Sequence, residues 1–198
     1  MFMTLTPELL IAAYSHGVFP MASTRDGEIA WFEPQERGII DLDGLYISRS
    51  LAKVVESGKY TITMNRDFPS VIKFCAILRD ETWISHEIER AYIGLHQLGY
   101  AHSVEAWEGE TLAGGLYGVA FGGAFFGESM FHTRRDASKV ALVYLVRHLK
   151  EQGFLLLDTQ YVTPHLLSLG GRAISRDEYL VRLREALALS PSFIAEPT

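Results

Sequence analysis

Cysteine is almost missing from this sequence. The lone Cys75 excludes an internal disulfide and fits a reducing compartment. It lies in an apolar helical stretch, where it is either a buried thiol, as free cysteines commonly are, or a nucleophile. Long apolar runs are missing too. The longest uncharged stretch, Thr111 to Gly127, is full of glycine and falls short of the ~20 residues a spanning helix needs. Met1 to Leu10 has neither the basic segment nor the small-residue cleavage site of a secretory leader. A soluble, cytoplasmic protein with no membrane partner is expected. Positive charge is scarce: 18 Lys and Arg stand against 24 Asp and Glu, a formal net charge of -6. That excludes an indiscriminate nucleic-acid coat, because phosphate binding rests on Lys and Arg. One local basic face remains allowed.

Further absences narrow the chemistry. The seven histidines are scattered and no pair has ligand spacing on one helix, so no metal site is expected. There is no P-loop and no dinucleotide fingerprint. Gly127-Glu128-Ser129-Met130-Phe131 begins like a nucleophile elbow, but the final glycine is missing and the strand runs on, which excludes a serine hydrolase. A coenzyme A enzyme would carry a glycine-rich loop at a helix start. Here that stretch, Thr133 to Ser138, holds no glycine. No cofactor is expected.

What is present is an ordinary globular balance over 198 residues, 48% hydrophobic and 21% charged. It suits one full domain and a small appendage. Thr6-Pro7-Glu8 opens a helix that stops at Gly17. Residues 18–44 read as irregular chain, and residues 1–35 as a small N-terminal lobe. Residues 36–198 form the main domain. Tyr60 to Asn65 reads as a strand, Phe68 to Arg79 and His86 to Leu98 as helices. An antiparallel meander follows over 101–107, 111–121 and 124–131, turned at Gly122-Gly123. Asp136 caps a helix to about Gln152. Phe154 to Gln160 is a buried strand, Pro164 opens a short helix, and a Ser175–Glu178 capping box starts the last one. This order predicts an α+β fold with a mostly antiparallel sheet and packed helices, of the N-acetyltransferase (GNAT) type.

Five features can carry chemistry. Asp158 and Gln160, two apart on a buried strand, share a face and need partners. They serve either a strand-end turn or a site. Glu128, an acid in an apolar strand, either pairs with a structural arginine or faces a cleft. Were its strand to join that of Asp158, the two carboxylates and the amide would converge, a set suited to a cation. The glycines of Gly114-Gly115-Leu116-Tyr117-Gly118 mark either a bulge or a close ligand approach. Arg134, Arg135, Lys139, Arg147 and Lys150 oppose only Asp136 and Glu151 between residues 132 and 151. They form either a solvated helix face or a phosphate contact. Trp31 and Trp83 are core aromatics or nucleobase platforms.

Eight stretches, in order from residue 5 to residue 180, resemble the signatures of leucyl/phenylalanyl-tRNA–protein transferases. They are Gly17-Val18-Phe19-Pro20, Ile47-Ser48-Arg49-Ser50, Thr82-Trp83-Ile84, Gly99-Tyr100-Ala101-His102-Ser103-Val104-Glu105, Gly114-Gly115-Leu116-Tyr117-Gly118, Gly127-Glu128-Ser129-Met130-Phe131, Ala137-Ser138-Lys139 and Leu157-Asp158-Thr159-Gln160. The resemblance implies transfer of Leu or Phe from aminoacyl-tRNA to proteins beginning with Arg or Lys, which marks them for degradation, without metal or coenzyme; a monomer is expected. It implies Asp158 and Gln160 as the catalytic pair, Asp158 polarising Gln160 as the attacking amine becomes cationic. Glu128 matches the acid near the acceptor amine. Leu116 and Phe125 match walls of the donor pocket, and Trp83 an aromatic on the terminal adenosine. Met21 stands where better-known members carry Trp as the other half of that stack. Two other readings stay open: a related transferase acting on N-terminal Asp or Glu, and a binding module without turnover.

Overall fold

The computed structural model describes residues 5–78 and 82–194. Arg79, expected at a helix end, lies outside them. Helix α1 (Pro7–Ser15) begins as its sequence dictates: the Thr6 hydroxyl accepts the Leu9 N–H at 3.3 Å, and Gly17 leaves at φ +76°. The following stretch is not irregular. It holds β1 (Phe19–Ala22) and β2 (Ile29–Phe32), paired antiparallel on their own, and β3 (Glu36–Ile40). These strands have four or five residues each. Too short to show alternation, they are recognisable only once paired. Helix α2 (Arg49–Glu56), capped by the Ser48 hydroxyl, was likewise unread.

The expected elements then follow: β4 (Thr61–Met64), α3 (Phe68–Ile77), α4 (His86–Gln97), β5 (Ala101–Glu108), β6 (Thr111–Phe121), β7 (Ala124–His132), α5 (Ala137–Gln152), β8 (Leu156–Gln160), α6 (Pro164–Leu167) and α7 (Arg176–Leu187). Between the last two lies β9 (Arg172–Ser175), also unread. Three local expectations need correction. Asp136 sits in left-handed backbone at φ +64° and makes no cap bond; its carboxylate faces Lys139 at 3.2 Å instead. The Ser175 hydroxyl caps the Glu178 N–H, but Glu178 turns to Arg182 at 2.7 Å, so only half of the capping box forms. Leu155 is exposed, so the buried strand begins at Leu156.

The main sheet has seven strands in the order β4-β5-β6-β7-β8-β3-β9. All neighbours are antiparallel except β7 and β8, which the α5 crossover makes parallel. Helices cover both faces. Leu10, Val71, Ile72, Ile88, Leu95 and Leu183 from α1, α3, α4 and α7 pack one side. Leu51, Val55, Val140, Val143, Val146 and Leu149 from α2 and α5 pack the other. The fold is therefore α+β with a mostly antiparallel sheet and packed helices. Strand β3, from the N-terminal fifth of the chain, is threaded between β8 and β9, and this insertion builds the site. Among the described residues no helix is long and apolar enough to cross a membrane.

Candidate active site

The parallel register of β7 and β8 runs through Ala124–Leu156, Phe125–Leu157 and Phe126–Asp158 and then stops. Beyond it the strands part, and a cavity of about 390 Å³ opens in the fork. Ligands commonly bind at the carboxyl ends of parallel strands, where the connections diverge. Two bulges shape this one. Tyr117 pairs with Ser129 and Gly118 with Gly127, which leaves Glu128 as the extra residue of β7. Gly38 pairs with Gln160 and Ile39 with Asp158, which leaves Thr159 as the extra residue of β8. A bulge re-aims side chains. Glu128 and Ser129, although consecutive, both line the cavity.

The second bulge also undoes the expectation that Asp158 and Gln160 act side by side on one face. Gln160 takes φ +58° and turns its side chain into the cavity. Asp158 has no exposure and does not line the cavity. Its partner is Arg37, a fully buried arginine on β3 that the sequence reading missed. Arg37 Nη2 lies 2.6 Å from Asp158 Oδ2, and Nε lies 2.9 Å from Oδ1. The guanidinium also donates from Nη1 to the Gly17 carbonyl at 2.8 Å and lies 4.5 Å from the ring centres of both Phe19 and Tyr179. Burial alone would lower the Arg37 pKa, but the Asp158 carboxylate outweighs it and holds the guanidinium above its ordinary value. The cation that two carboxylates seemed to invite is thus in part the protein's own. Asp158 also accepts the Tyr179 hydroxyl and the Gln160 backbone N–H, each at 2.7 Å. It polarises no atom of the Gln160 side chain directly; it fixes the backbone from which that side chain projects.

The Gln160 side chain answers to Glu128. Its Nε2 donates to Glu128 Oε1 at 3.1 Å, which leaves its carbonyl oxygen free to accept. Glu128 further accepts the Tyr14 hydroxyl at 2.7 Å and the Tyr92 hydroxyl at 3.3 Å, and those two hydroxyls touch each other. Burial pushes the Glu128 carboxyl up to about 8, with the Asp158 charge adding to the rise. The tyrosine hydrogen bonds and Arg37 oppose it without cancelling it. Burial likewise raises Tyr14, Tyr92 and Tyr179, so all three remain neutral donors.

Ile40, Leu116, Met130, Leu142, Leu145, Leu157 and Leu166 make much of the lining apolar. Met21 and Trp83 also line the cavity, joined by the Ala22 N–H to the Trp83 carbonyl at 3.0 Å. Phe125, expected on the wall, lies behind it, fully buried and 5.4 Å from the Phe193 ring. Trp31 pairs with Pro20 in the small sheet and does not line the cavity. Cys75 is fully buried in α3. The glycine run answers to neighbours rather than ligand: a Cβ at Gly114 would sit 2.7 Å from Ala137 Cβ, and one at Gly118 would sit 2.3 Å from the Phe126 carbonyl oxygen. The basic residues of α5 and its approach have local counter-ions. Arg134 faces Glu108 at 3.5 Å, Arg135 and Lys139 face Asp136, and Lys150 faces Asp43, while Arg147 lies over Tyr144.

Fold and site together define an α+β domain with an apolar cavity beside a buried acid–amide pair, in a fork braced by a sealed ion pair. Sequence comparison supplies the family. Residues 39–184 match the family described as leucyl/phenylalanyl-tRNA protein transferase, and residues 3–35 match its N-terminal domain. A leucyl/phenylalanyl-tRNA–protein transferase of Ruegeria sp. is 56% identical, covering 98% of this chain and 92% of that protein. One of Rubrobacter xylanophilus is 53% identical over 96% and 100%, and one of Chlorobaculum parvum 51% over 94% and 98%. The chain belongs to the leucyl/phenylalanyl-tRNA–protein transferase family. A solved structure, L-PGS from Bacillus licheniformis, aligns at TM-score 0.47 and 14% identity over 91% of this chain and 70% of that one, too distant to carry an argument.

Proposed function

We propose that the protein transfers Leu or Phe from aminoacyl-tRNA to the N-terminal α-amine of proteins that begin with Arg or Lys, marking them for degradation. One observation carries this reading: an apolar cavity opens directly onto a hydrogen-bonded Gln160–Glu128 pair. The donor's apolar side chain enters the wall that includes Leu116, and its adenine lies between Met21 and Trp83. Smaller donors are disfavoured by ~1–3 kcal/mol per missing methylene. Gln160 is the catalytic residue that touches the acceptor. Its free carbonyl oxygen accepts an amine N–H and orients the lone pair, while Glu128 anchors the amide. An α-amine of reference pKa ~7.7–8.0 needs little help to be neutral, so positioning supplies much of the rate, up to ~7–11 kcal/mol for well-oriented reactants. Asp158 works through the Gln160 backbone and is a positioning residue.

The tRNA backbone meets the basic face of Arg134, Arg135, Lys139, Arg147 and Lys150, whose partly exposed surface ion pairs give way cheaply. We further infer an N-acetyltransferase-type core, supported by the β5-β6-β7 meander and its parallel β8. The lobe of residues 1–35 supplies Met21. A cytoplasmic monomer without coenzyme completes the reading.

The test is transfer from radiolabelled Leu-, Phe- and Met-tRNA to peptides starting with Arg, Lys, Asp or Glu. Leu and Phe onto Arg and Lys is the expected outcome; label on Asp or Glu peptides would overturn the acceptor assignment. Gln160→Ala should lower kcat by at least about a hundredfold in a folded protein. A near-normal rate would remove Gln160 from the mechanism.

A further inference from the structure

Aminolysis of an ester places negative charge on the former carbonyl oxygen, and preorganised donors for that oxygen are commonly a large part of catalysis. Around the fork most donors are spent. Arg37 gives its bonds to Asp158 and the Gly17 carbonyl, Tyr179 gives its hydroxyl to Asp158, Tyr14 and Tyr92 give theirs to Glu128, and the Gln160 amide donates to Glu128. Among the described residues, the hydroxyls of Ser129 and Thr159, which line the cavity, are not spent. The Ser129 hydroxyl lines the cavity, its residue is only 9% exposed, and it has no hydrogen-bond partner among the described residues. A buried hydroxyl without a partner costs stability, so its presence needs a reason. The β7 bulge supplies the placement, because it lets Ser129 share the cavity with the residue before it. Thr159 lines the cavity too, but it is the bulged residue of β8 and its oxygen lies against β3, 2.8 Å from where a Cβ at Gly38 would sit, whereas the Ser129 hydroxyl has no such backbone against it among the described contacts.

We propose that the Ser129 hydroxyl is the donor that holds the ester carbonyl oxygen of the aminoacyl group and the oxyanion formed from it. The assignment rests on the aminoacyl-transfer reading above. The amine lone pair forms the new C–N bond and the carbonyl π pair moves onto the oxygen, where Ser129 O–H meets it. Collapse re-forms C=O and breaks the bond to the ribose oxygen. The amine proton held at the Gln160 carbonyl passes to that departing oxygen, so the products are an amide and a free ribose hydroxyl. Ser129 keeps its proton throughout and forms no covalent bond.

The test pairs kinetics with two stable analogues of phenylalanyl-adenosine, one with a planar amide link and one with a tetrahedral phosphonate. Ser129→Ala should lower kcat about a hundredfold, the usual loss for one oxyanion donor, with donor KM within about threefold of wild type. Its melting temperature should not fall, because the hydroxyl it loses has no partner. Wild type should bind the phosphonate more tightly than the amide, and Ser129→Ala should bring that ratio toward one. Ser129→Thr, which keeps a hydroxyl, should recover part of both. A kcat within about threefold of wild type in Ser129→Ala, or equal loss of affinity for both analogues, overturns the assignment while transfer by wild type still stands. Wild type that binds neither analogue and transfers nothing overturns the aminoacyl-transfer reading, and this assignment with it.

Discussion

At the residue scale, one buried guanidinium carries much of the site's geometry. Arg37 is held on three sides: the Asp158 carboxylate, the Gly17 carbonyl and two aromatic faces. Removing one partner of a buried pair leaves an uncompensated charge, at a cost of ~3–5 kcal/mol. Arg37→Leu should therefore lower unfolding stability by about that amount in urea titrations, and Arg37→Leu with Asp158→Leu should recover part of it. A single variant that costs under ~1 kcal/mol would show that the pair does not brace the fork. Glu128 gives a second expectation, in pH. Its carboxyl is pushed from the ordinary value of 4.5 up to about 8 by burial. A group whose folded pKa is raised binds its proton more tightly in the native state. Its stabilisation is complete below about 4.5 and is lost as pH climbs through about 8. Relative to wild type, Glu128→Gln should therefore gain stability across that window, on the order of a few kcal/mol. Melting curves that stay parallel from pH 5 to pH 9 would contradict the shifted carboxyl.

At the scale of elements, the bulges in β7 and β8 decide what the strands present. Gly118 lies opposite the β7 bulge with the Phe126 carbonyl and the Phe125 ring where a side chain would begin. Gly118→Ala must shift that backbone or ring. Overpacking of this kind costs ~1–3 kcal/mol, and here it also displaces Glu128. The expected result is a destabilised protein whose kcat falls further than its donor affinity; unchanged turnover would mean that the bulge tolerates the methyl group. Helix α5 makes a different case. Its cations have counter-ions, yet those at Lys139 and Lys150 are single carboxylates on a half-exposed face. Lys139→Glu with Lys150→Glu should weaken tRNA binding and flatten its salt dependence, since each phosphate contact contributes to the slope. A slope equal to that of wild type would take α5 out of the interface.

At the scale of the whole molecule, the cavity is a joint product of distant segments. Met21 lies in the small β1–β2 sheet, whose Ala22 N–H donates to the carbonyl of Trp83 in the loop before α4, and both Met21 and Trp83 face the space beside β7 and β8. Base–aromatic stacking contributes ~1–3 kcal/mol per base. Met21→Trp should accordingly tighten binding of an aminoacyl-adenosine analogue by about tenfold or more, read by calorimetry. Weaker binding would place the adenine elsewhere in the cavity.

The sequence by itself determined the elements whose signals are local: the Thr6 cap and Pro7 of α1, the apolar helical stretches of α3 and α4, the Ser175 cap of α7, the glycine turn between β6 and β7, and the long α5. It also singled out Glu128, Asp158 and Gln160, because a polar residue inside an apolar strand is conspicuous without any neighbour. What it left open was how they meet. Arg37 in Glu36-Arg37-Gly38 looks like a solvated turn residue, since its partner Asp158 is 121 positions away. Strand β9 and the small sheet were unreadable for the same reason: strands of four residues have no internal hydrogen bonds and exist only through pairing. Even the shared face of Asp158 and Gln160 followed from a regular two-residue period, which a bulge one residue long reverses. Identity and candidate chemistry lie in local spelling. The separation of roles, Asp158 locked to Arg37 and Gln160 handed to Glu128, was decided by β3 entering the sheet beside β8.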